Sequence, residues 1–246
     1  FLDGQPHMFC PRQNLKRIMS LVRQEGYVFN VGIEPEHYLV TKKNDGSIDV
    51  WDPKEVDTLR YPCYDFKGTS NAMGYLRKMM DAMSRLGWEP YQSDHEDGNG
   101  QYEINFAYAD ALTTADRYTF FKMMTSQYAQ EFGAIATHMA QPFANRAGNG
   151  AHIHYHLADA ASGENLFVDE EDPRGLGLSQ LAYQFIAGVF AHAPALCSVM
   201  SPTTNCYTRL QVEPGLTDAN LDFMWTPAFV AYGDNNRTQM IRTPAP

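Results

Sequence analysis

The chain has 246 residues, of which 19 are basic and 29 acidic, for a net charge of −10, and 44% are hydrophobic. That is enough for a large core in one large domain or two small ones. The acidic balance argues against a nucleic-acid groove or an anionic membrane as partner, so a local cluster of arginines would mark an anion site. The cysteines Cys10, Cys63, Cys197 and Cys206 show no CxxC spacing, which suits a reducing, cytoplasmic compartment. No apolar run reaches the ~18 residues that span a bilayer. The start, FLDGQPHMF, is no signal peptide and lacks an initiator Met, and RTPAP stops just after a strand-like stretch. Both ends look cut, as expected of part of a longer chain.

In chain order, residues 11–25 predict a helix with Pro near its start and Gly26 after its end. VFNVGIEPEHYLVT alternates like a strand, KKNDGS turns, and SIDVW returns as a hairpin partner. Residues 53–68 read as an irregular loop and 70–86 as an amphipathic helix whose methionines fill core. WEPYQSD is a short strand, HEDGNG a loop and QYEINFAY a strand, followed by a helical pattern over 113–132. After AIATHMA comes GNGAHIHYHL, a strand with histidines at every second position. LGLSQLAYQFIAGVFAHAPALCSVM predicts a largely buried helix interrupted at Pro194, SPTTNCYTRL a loop, and residues 211–227 a mobile surface loop. AFVAYG and RTQMIR read as paired strands around GDNN. Hairpins with interspersed long helices predict an α+β fold with a mainly antiparallel sheet and flanking helices.

Four constellations could carry chemistry. Glu34 and Glu36 are two apart on a strand, so both carboxylates share a face, and their repulsion must be relieved by a cation or a proton. Gln101, Glu103 and Asn105 likewise share a polar face, and the Gly-containing loop can fold Glu96 back beside Glu103. His152, His154 and His156 share a face opposite Ala151, Ile153, Tyr155 and Leu157. That row could be a zinc site, as in a mononuclear hydrolase, or a stacked polar face. The nearby partners are carboxylates and no cysteine pair, which suits Mg²⁺ or Mn²⁺ better. Arg209, Arg237 and Arg242 near turns suggest an anionic substrate, because Arg forks bind carboxylate and phosphate at two points. Together these are the parts for metal-assisted phosphoryl transfer to a carboxylate-bearing substrate. With no P-loop or kinase motif, any nucleotide site is of another kind.

At these residues the sequence resembles the glutamine synthetase family. GIEPEHYLV resembles its Glu-x-Glu strand and HEDGNGQYEINF its second glutamate pair with a Gly-Gln-x-Glu core. GNGAHIHYHL is similar to its Gly-rich His-x-His strand, SPTTNCYTRL to its Asn-Ser-Tyr-x-Arg-Leu segment, and NNRTQMIRTP to its Asn-Arg-x-x-x-Ile-Arg segment. The phrases CYDFKG, DHEDGNGQYEINF and GLGLSQLAY look most like the branch of γ-glutamylmethylamide synthetases and type III-like glutamine synthetases. The resemblance implies that residues 1–246 form a partial catalytic domain, with the N-terminal β-grasp domain and a C-terminal segment absent. It implies that Glu36, Glu96 and Glu103 hold the metal on the amino-acid side, and that Glu34 and His152 hold the metal bridging the ATP phosphates. A further family Glu would lie beyond Pro246. His154, Tyr155 and His156 would line the nucleotide, Gly148 would contact the amino acid through its backbone, and Arg209 would bind its carboxylate. Arg237 and Arg242 would hold the transferring phosphate. The implied reaction has L-glutamate attack the γ-phosphate of ATP, after which ammonia or a small amine such as methylamine displaces phosphate. The implied assembly is a dodecamer with sites between subunits, so these residues alone are expected to be inactive. The alternative is a non-catalytic member with a structural or binding role, against which stand the five metal-ligand positions in this range, all present.

The sequence departs from the family at several points. Ala147 stands where Asn is usual, His156 where Ser is usual, and MAQP (Met139 to Pro142) where Met-Pro-Lys-Pro is usual. The flap Glu that the family has just before its Ala-Pro is replaced here by Trp225, and Glu213, Asp218 or Asp222 could take its place only if the loop brought one of them there. A bulkier or less charged amine than ammonium fits that change.

Overall fold

The computed structural model describes residues 4–210, 226–227 and 229–244. Its spine is one 16-residue strand, β1 (Tyr27–Lys42). The other strands of the main sheet are β2 (Ile48–Val50), β3 (Pro90–His95), β4 (Gln101–Phe106), β5 (Ala109–Asp110), β6 (Ile135–Thr137) and β7 (Ala151–Asp159). All pair with β1 except β3, which pairs with β4, and every pairing is antiparallel. Both edges of β1 are used: Val31 faces Ala109 on one side and Tyr155 on the other, and Tyr38 faces Gln101 and Thr137. The hairpin expected over 28–51 and the α+β class stand, with β1 and β2 paired from Val40 to Val50.

Because strand side chains alternate, β1 sorts its residues to two faces. Ile33 and Leu39 join Tyr102, Ile104 and Phe106 beneath the helices α2 (Phe66–Arg85) and α3 (Ala111–Glu131). The α2 methionines Met79 and Met83 are fully buried there, filler as expected, whereas Met73 of the same helix is exposed. Phe29, Tyr155 and Leu157 join Val22 of α1 (Pro11–Gln24) and Phe185 of α4 (Gln180–Ala191) in a second cluster. The opposite face carries Asn30, Gly32, Glu34 and Glu36 next to the histidines of β7 and the polar residues of β4.

Local chemistry explains the helix starts. Asp65 accepts from the Gly68 N–H (2.8 Å), so α2 begins at Phe66, four residues before the expected start. Asp110 accepts from Leu112 and Thr113 N–H at the head of α3. The helix break at Pro194 is real: α4 and α5 (Ala193–Met200) meet at 72°. Their expected burial is not found. Only Ala182, Tyr183, Ile186 and Ala193 are buried, because α4 packs through one stripe, and Val199 and Met200 are exposed. Among the described residues no single helix is long and apolar enough to cross a membrane. SPTTNCYTRL is not a loop throughout: residues Thr204–Arg209 form a short helix, α6. The strands β8 (Phe229–Asp234) and β9 (Gln239–Thr243) pair as expected, in parallel register and outside the main sheet. They reach α4 through Tyr232, whose ring lies against Tyr183 and Phe190. The 211–227 loop, with Glu213, Asp218, Asp222 and Trp225, lies outside the described residues except for Thr226 and Pro227.

Candidate metal and anion site

Register builds the site. β1 sets Glu34 beside His152 and Gly32 beside His154 on one edge, and Glu36 beside Glu103 on the other. Strands far apart in sequence thereby put their carboxylates and imidazoles in one row. His154 Nε2 lies 3.0 Å from Glu34 Oε1, and His152 Nδ1 lies 3.5 Å from Glu34 Oε2 and 3.8 Å from Glu36 Oε1. One ligand atom each from Glu34, Glu103 and His152 falls within 4.8 Å of the others, the spacing of a single ion's donors.

Glu36 is the most tightly held of these groups. Gln101 Nε2 and the Gly150 N–H both donate to its Oε2 at 2.8 Å, which leaves Oε1 facing His152. Gln101 also lies 3.2 Å from the Gly148 carbonyl and from Asn149 Oδ1, so one amide ties β4 to the glycine-rich stretch. Asn149 donates in turn to the carbonyls of Thr137 and Met139. The glycines are required by close approach. A Cβ on Gly150 would stand 2.8 Å from Glu36 Oε1 and 3.3 Å from Arg209 Nη2, and one on Gly148 would stand 2.7 Å from Arg209 Cδ. Arg209 thus lies along the glycines beside Glu36, its Nε buried and without a partner among the described residues. The segment is pinned from above by Gln141 and Asn205, which exchange two hydrogen bonds (2.8 and 2.9 Å).

The electrostatics show what the row needs. Hydrogen bonds from His152 and His154 hold the Glu34 carboxyl far below the usual carboxylate range. The same contact with Glu34 raises His152. Burial pushes Glu36 up, burial and the neighbouring Glu36 and Glu103 push Glu96 up to about 9, and burial pushes Glu103 up to about 7. Three carboxyls that resist ionisation, beside one that is ionised, form a site short of positive charge. A donor group of two carboxylates, Glu34 and Glu103, with one imidazole, His152, fits a hard ion such as Mg²⁺ or Mn²⁺. A zinc site of three histidines does not fit: His156 is drawn off to Asn30, whose Nδ2 lies 3.0 Å from its Nε2, and its ring meets Tyr108 edge-on.

Other expected residues fall as follows. Tyr155 is separated from His154 and His156. Its ring packs with Phe29 and Phe185 on the helix side, as the two-residue period of a strand dictates, so its side chain cannot line the same cleft. Arg237 lies near the Cys63–Tyr64 loop, where its charge works against the burial that raises Cys63 to about 12. Arg242 sits on β9 opposite Gly233, and no contact joins it to the carboxylate row. Sequence reasoning set Gln101 on the polar face without giving it a role, and passed over Asn149 and Tyr38, whose hydroxyl donates to the Ala147 carbonyl at 2.6 Å. The position of Gln101, two before Glu103 on one face, was the available signal.

A sheet face that gathers carboxylates, with a half-buried arginine beside a glycine-rich strand, has the chemistry to hold a hard cation and an anion side by side. Residues 8–246 match the model of the glutamine synthetase catalytic domain, and the chain belongs to that family. It is 45% identical over 241 residues to a glutamate–methylamine ligase of Methyloversatilis universalis, covering 98% of this chain and 52% of that protein. It is 39% identical over 245 residues to a glutamine synthetase of Rhizobium leguminosarum bv. phaseoli, covering 100% of this chain and 54% of the relative. Among solved structures, a GmaS–ADP complex superposes with a TM-score of 0.83 at 38% identity, covering 98% of this chain and 53% of that one. The chain spans about half the length of the curated relatives it matches.

Proposed function

We propose that the protein ligates a small amine to the γ-carboxylate of L-glutamate at the expense of ATP, through γ-glutamyl phosphate. The observation that carries this reading is the row of Glu34, Glu36, Glu103 and His152 set beside Arg209 and the glycine strand. In this reading Glu36, Glu96 and Glu103 hold one Mg²⁺ or Mn²⁺ ion, and Glu34 and His152 hold a second. The ions, when bound, neutralise charge on the phosphates of ATP and on the glutamate carboxylate. Arg209 binds the amino acid's carboxylate through its guanidinium edge, and Gly148 and Gly150 let that substrate approach the backbone. His154, held by Glu34, and His156, held by Asn30, line the nucleotide, together with the backbone of Tyr155. Arg237 and Arg242 steady the transferring phosphate after rearrangement toward the site. The reading extends to a homo-oligomer and to the cytoplasm, where the four cysteines, all unpaired in the fold, would stay reduced.

A methylamine-like acceptor is favoured over ammonium by the 45% identity to a methylamine ligase and by Trp225 at the flap position. The test is phosphate release by the full-length protein with glutamate and ATP and, in turn, ammonium, methylamine, ethylamine and putrescine. Turnover highest with methylamine is expected. Turnover with ammonium alone overturns the amine assignment. No turnover with any amine, together with stoichiometric bound zinc, overturns the ligase reading.

A further inference from the structure

Behind the carboxylate row, on the helix side of the sheet, an acidic residue grips the turn that carries Glu96. Asp57 lies in the irregular stretch between β2 and α2, and its side chain is fully buried. Its Oδ2 accepts from His95 Nε2 (2.8 Å) and from the Gly100 N–H (2.6 Å). Its Oδ1 accepts from Asn99 Nδ2 (2.8 Å), which also reaches the carbonyls of Asp57 (3.1 Å) and Leu59 (3.0 Å). His95 Nδ1 in turn sits 2.8 Å from the Glu96 carbonyl. The ring thus bridges the Asp57 carboxylate and the Glu96 carbonyl, one at each nitrogen. One carboxylate therefore holds both ends of the 96–100 turn: the Glu96 backbone through His95, and Gly100 directly.

The turn has little freedom to settle elsewhere. The Glu96 N–H donates to the Gln101 carbonyl (2.9 Å), which closes the turn onto β4. Gly100 has φ +77°, and a Cβ there would stand 2.6 Å from Val50 Cγ1. The side-chain amide that braces Glu36 also accepts from the Gly98 N–H (3.0 Å). A fully buried carboxylate contributes little stability through its hydrogen bonds, because desolvation offsets them. What it supplies here is a fixed direction for the backbone at Glu96.

We propose that Asp57 is a positioning residue for Glu96, acting through His95 and the Gly100 N–H on the metal site of Glu36, Glu96 and Glu103. The proposal rests on the two-ion reading above. The test is Mn²⁺ titration of full-length, metal-free protein, with free ion counted by electron paramagnetic resonance. Wild type should show two affinity classes, and Glu96→Gln identifies the class that contains Glu96. If wild type binds no Mn²⁺, the two-ion reading fails, and this proposal with it. In Asp57→Asn the new amide must face donors, either His95 and Gly100 or Asn99. The class containing Glu96 should then weaken about 10–100-fold, the usual effect of losing a partner of a metal ligand. The other class should stay within about 2-fold. Unchanged binding in a wild type that does bind, or an equal loss in both classes, overturns the proposal. Should Asp57→Asn fail to fold, Asn99→Ala carries the test: about 5-fold weakening of the same class alone supports positioning, and no change overturns it.

Discussion

Replacing Glu103 by Gln should make the metal-free protein more stable, and increasingly so as pH rises. Glu103 is buried beside Glu36 and Glu34, and burial lifts its carboxyl from the ordinary 4.5 to about 7. A carboxyl whose pKa is higher in the fold than in the unfolded chain contributes stability below its unfolded value, near pH 4.5. That contribution is lost as pH rises through 7. At ~1.4 kcal/mol per pH unit, the full loss is about 3 kcal/mol. Gln has nearly the same shape, can still accept from Asn105 Nδ2 (2.8 Å in wild type), and does not titrate. The stability gap between variant and wild type should therefore widen by about 2 kcal/mol between pH 5.5 and 8.5. The assay is denaturant unfolding of full-length protein in chelator at matched protomer concentration, repeated with saturating Mn²⁺. With the ion, the order should reverse, because wild type gains binding energy that the variant's neutral oxygen cannot match. A gap that stays constant within about 0.5 kcal/mol, or narrows toward pH 8.5, refutes the premise that this row is destabilised by its own charge.

Gly150→Ala should displace Glu36 or Arg209, since the new Cβ would stand 2.8 Å from Glu36 Oε1. A loss of Mn²⁺ affinity of about 10-fold or more, with a change in unfolding temperature of only a few degrees, would bear this out. Arg209→Lys keeps the charge but removes the planar fork, so the KM for glutamate should rise about 10–100-fold with a smaller change in kcat. An unchanged KM would place the carboxylate elsewhere. His156→Ser, at a residue already engaged by Asn30, should leave Mn²⁺ affinity within about 2-fold, whereas His152→Ala should weaken it by about 10-fold or more. Calorimetric titration distinguishes the two, and equal, severe losses would restore a histidine-based zinc site.

Several parts of the site are legible in the linear sequence because they follow from a local period. Glu34 with Glu36, Gln101 with Glu103 and Asn105, and His152 with His154 and His156 each share a strand face wherever the strand is placed. The same period sends Tyr155 to the helices, whatever role its neighbours have. Helix starts at Pro11 and stops at Gly26 and Gly87 are written in backbone chemistry of the same short range. The cap at Asp65 was not read from the sequence, because its Phe66–Lys67–Gly68 sequel reads as loop until the tertiary fold gives the first turn something to pack on.

What only the tertiary structure decided is register and burial. No local rule sets Glu34 against His152 or Glu36 against Glu103. Those pairings exist because one long strand recruits partners along both of its edges from residues up to 132 positions away, Tyr27 facing Asp159. Hydrogen bonding and burial then give chemically identical carboxyls opposite tendencies: two histidines keep Glu34 ionised, while burial makes Glu36, Glu96 and Glu103 resist ionisation. The grip of Asp57 on the Glu96 turn and the seat of Arg209 along the glycines are of the same kind. Sequence placed the donors on faces, but the distances among them, and hence the electrostatics of the row, arise from contacts between strands that the chain brings together only when it folds.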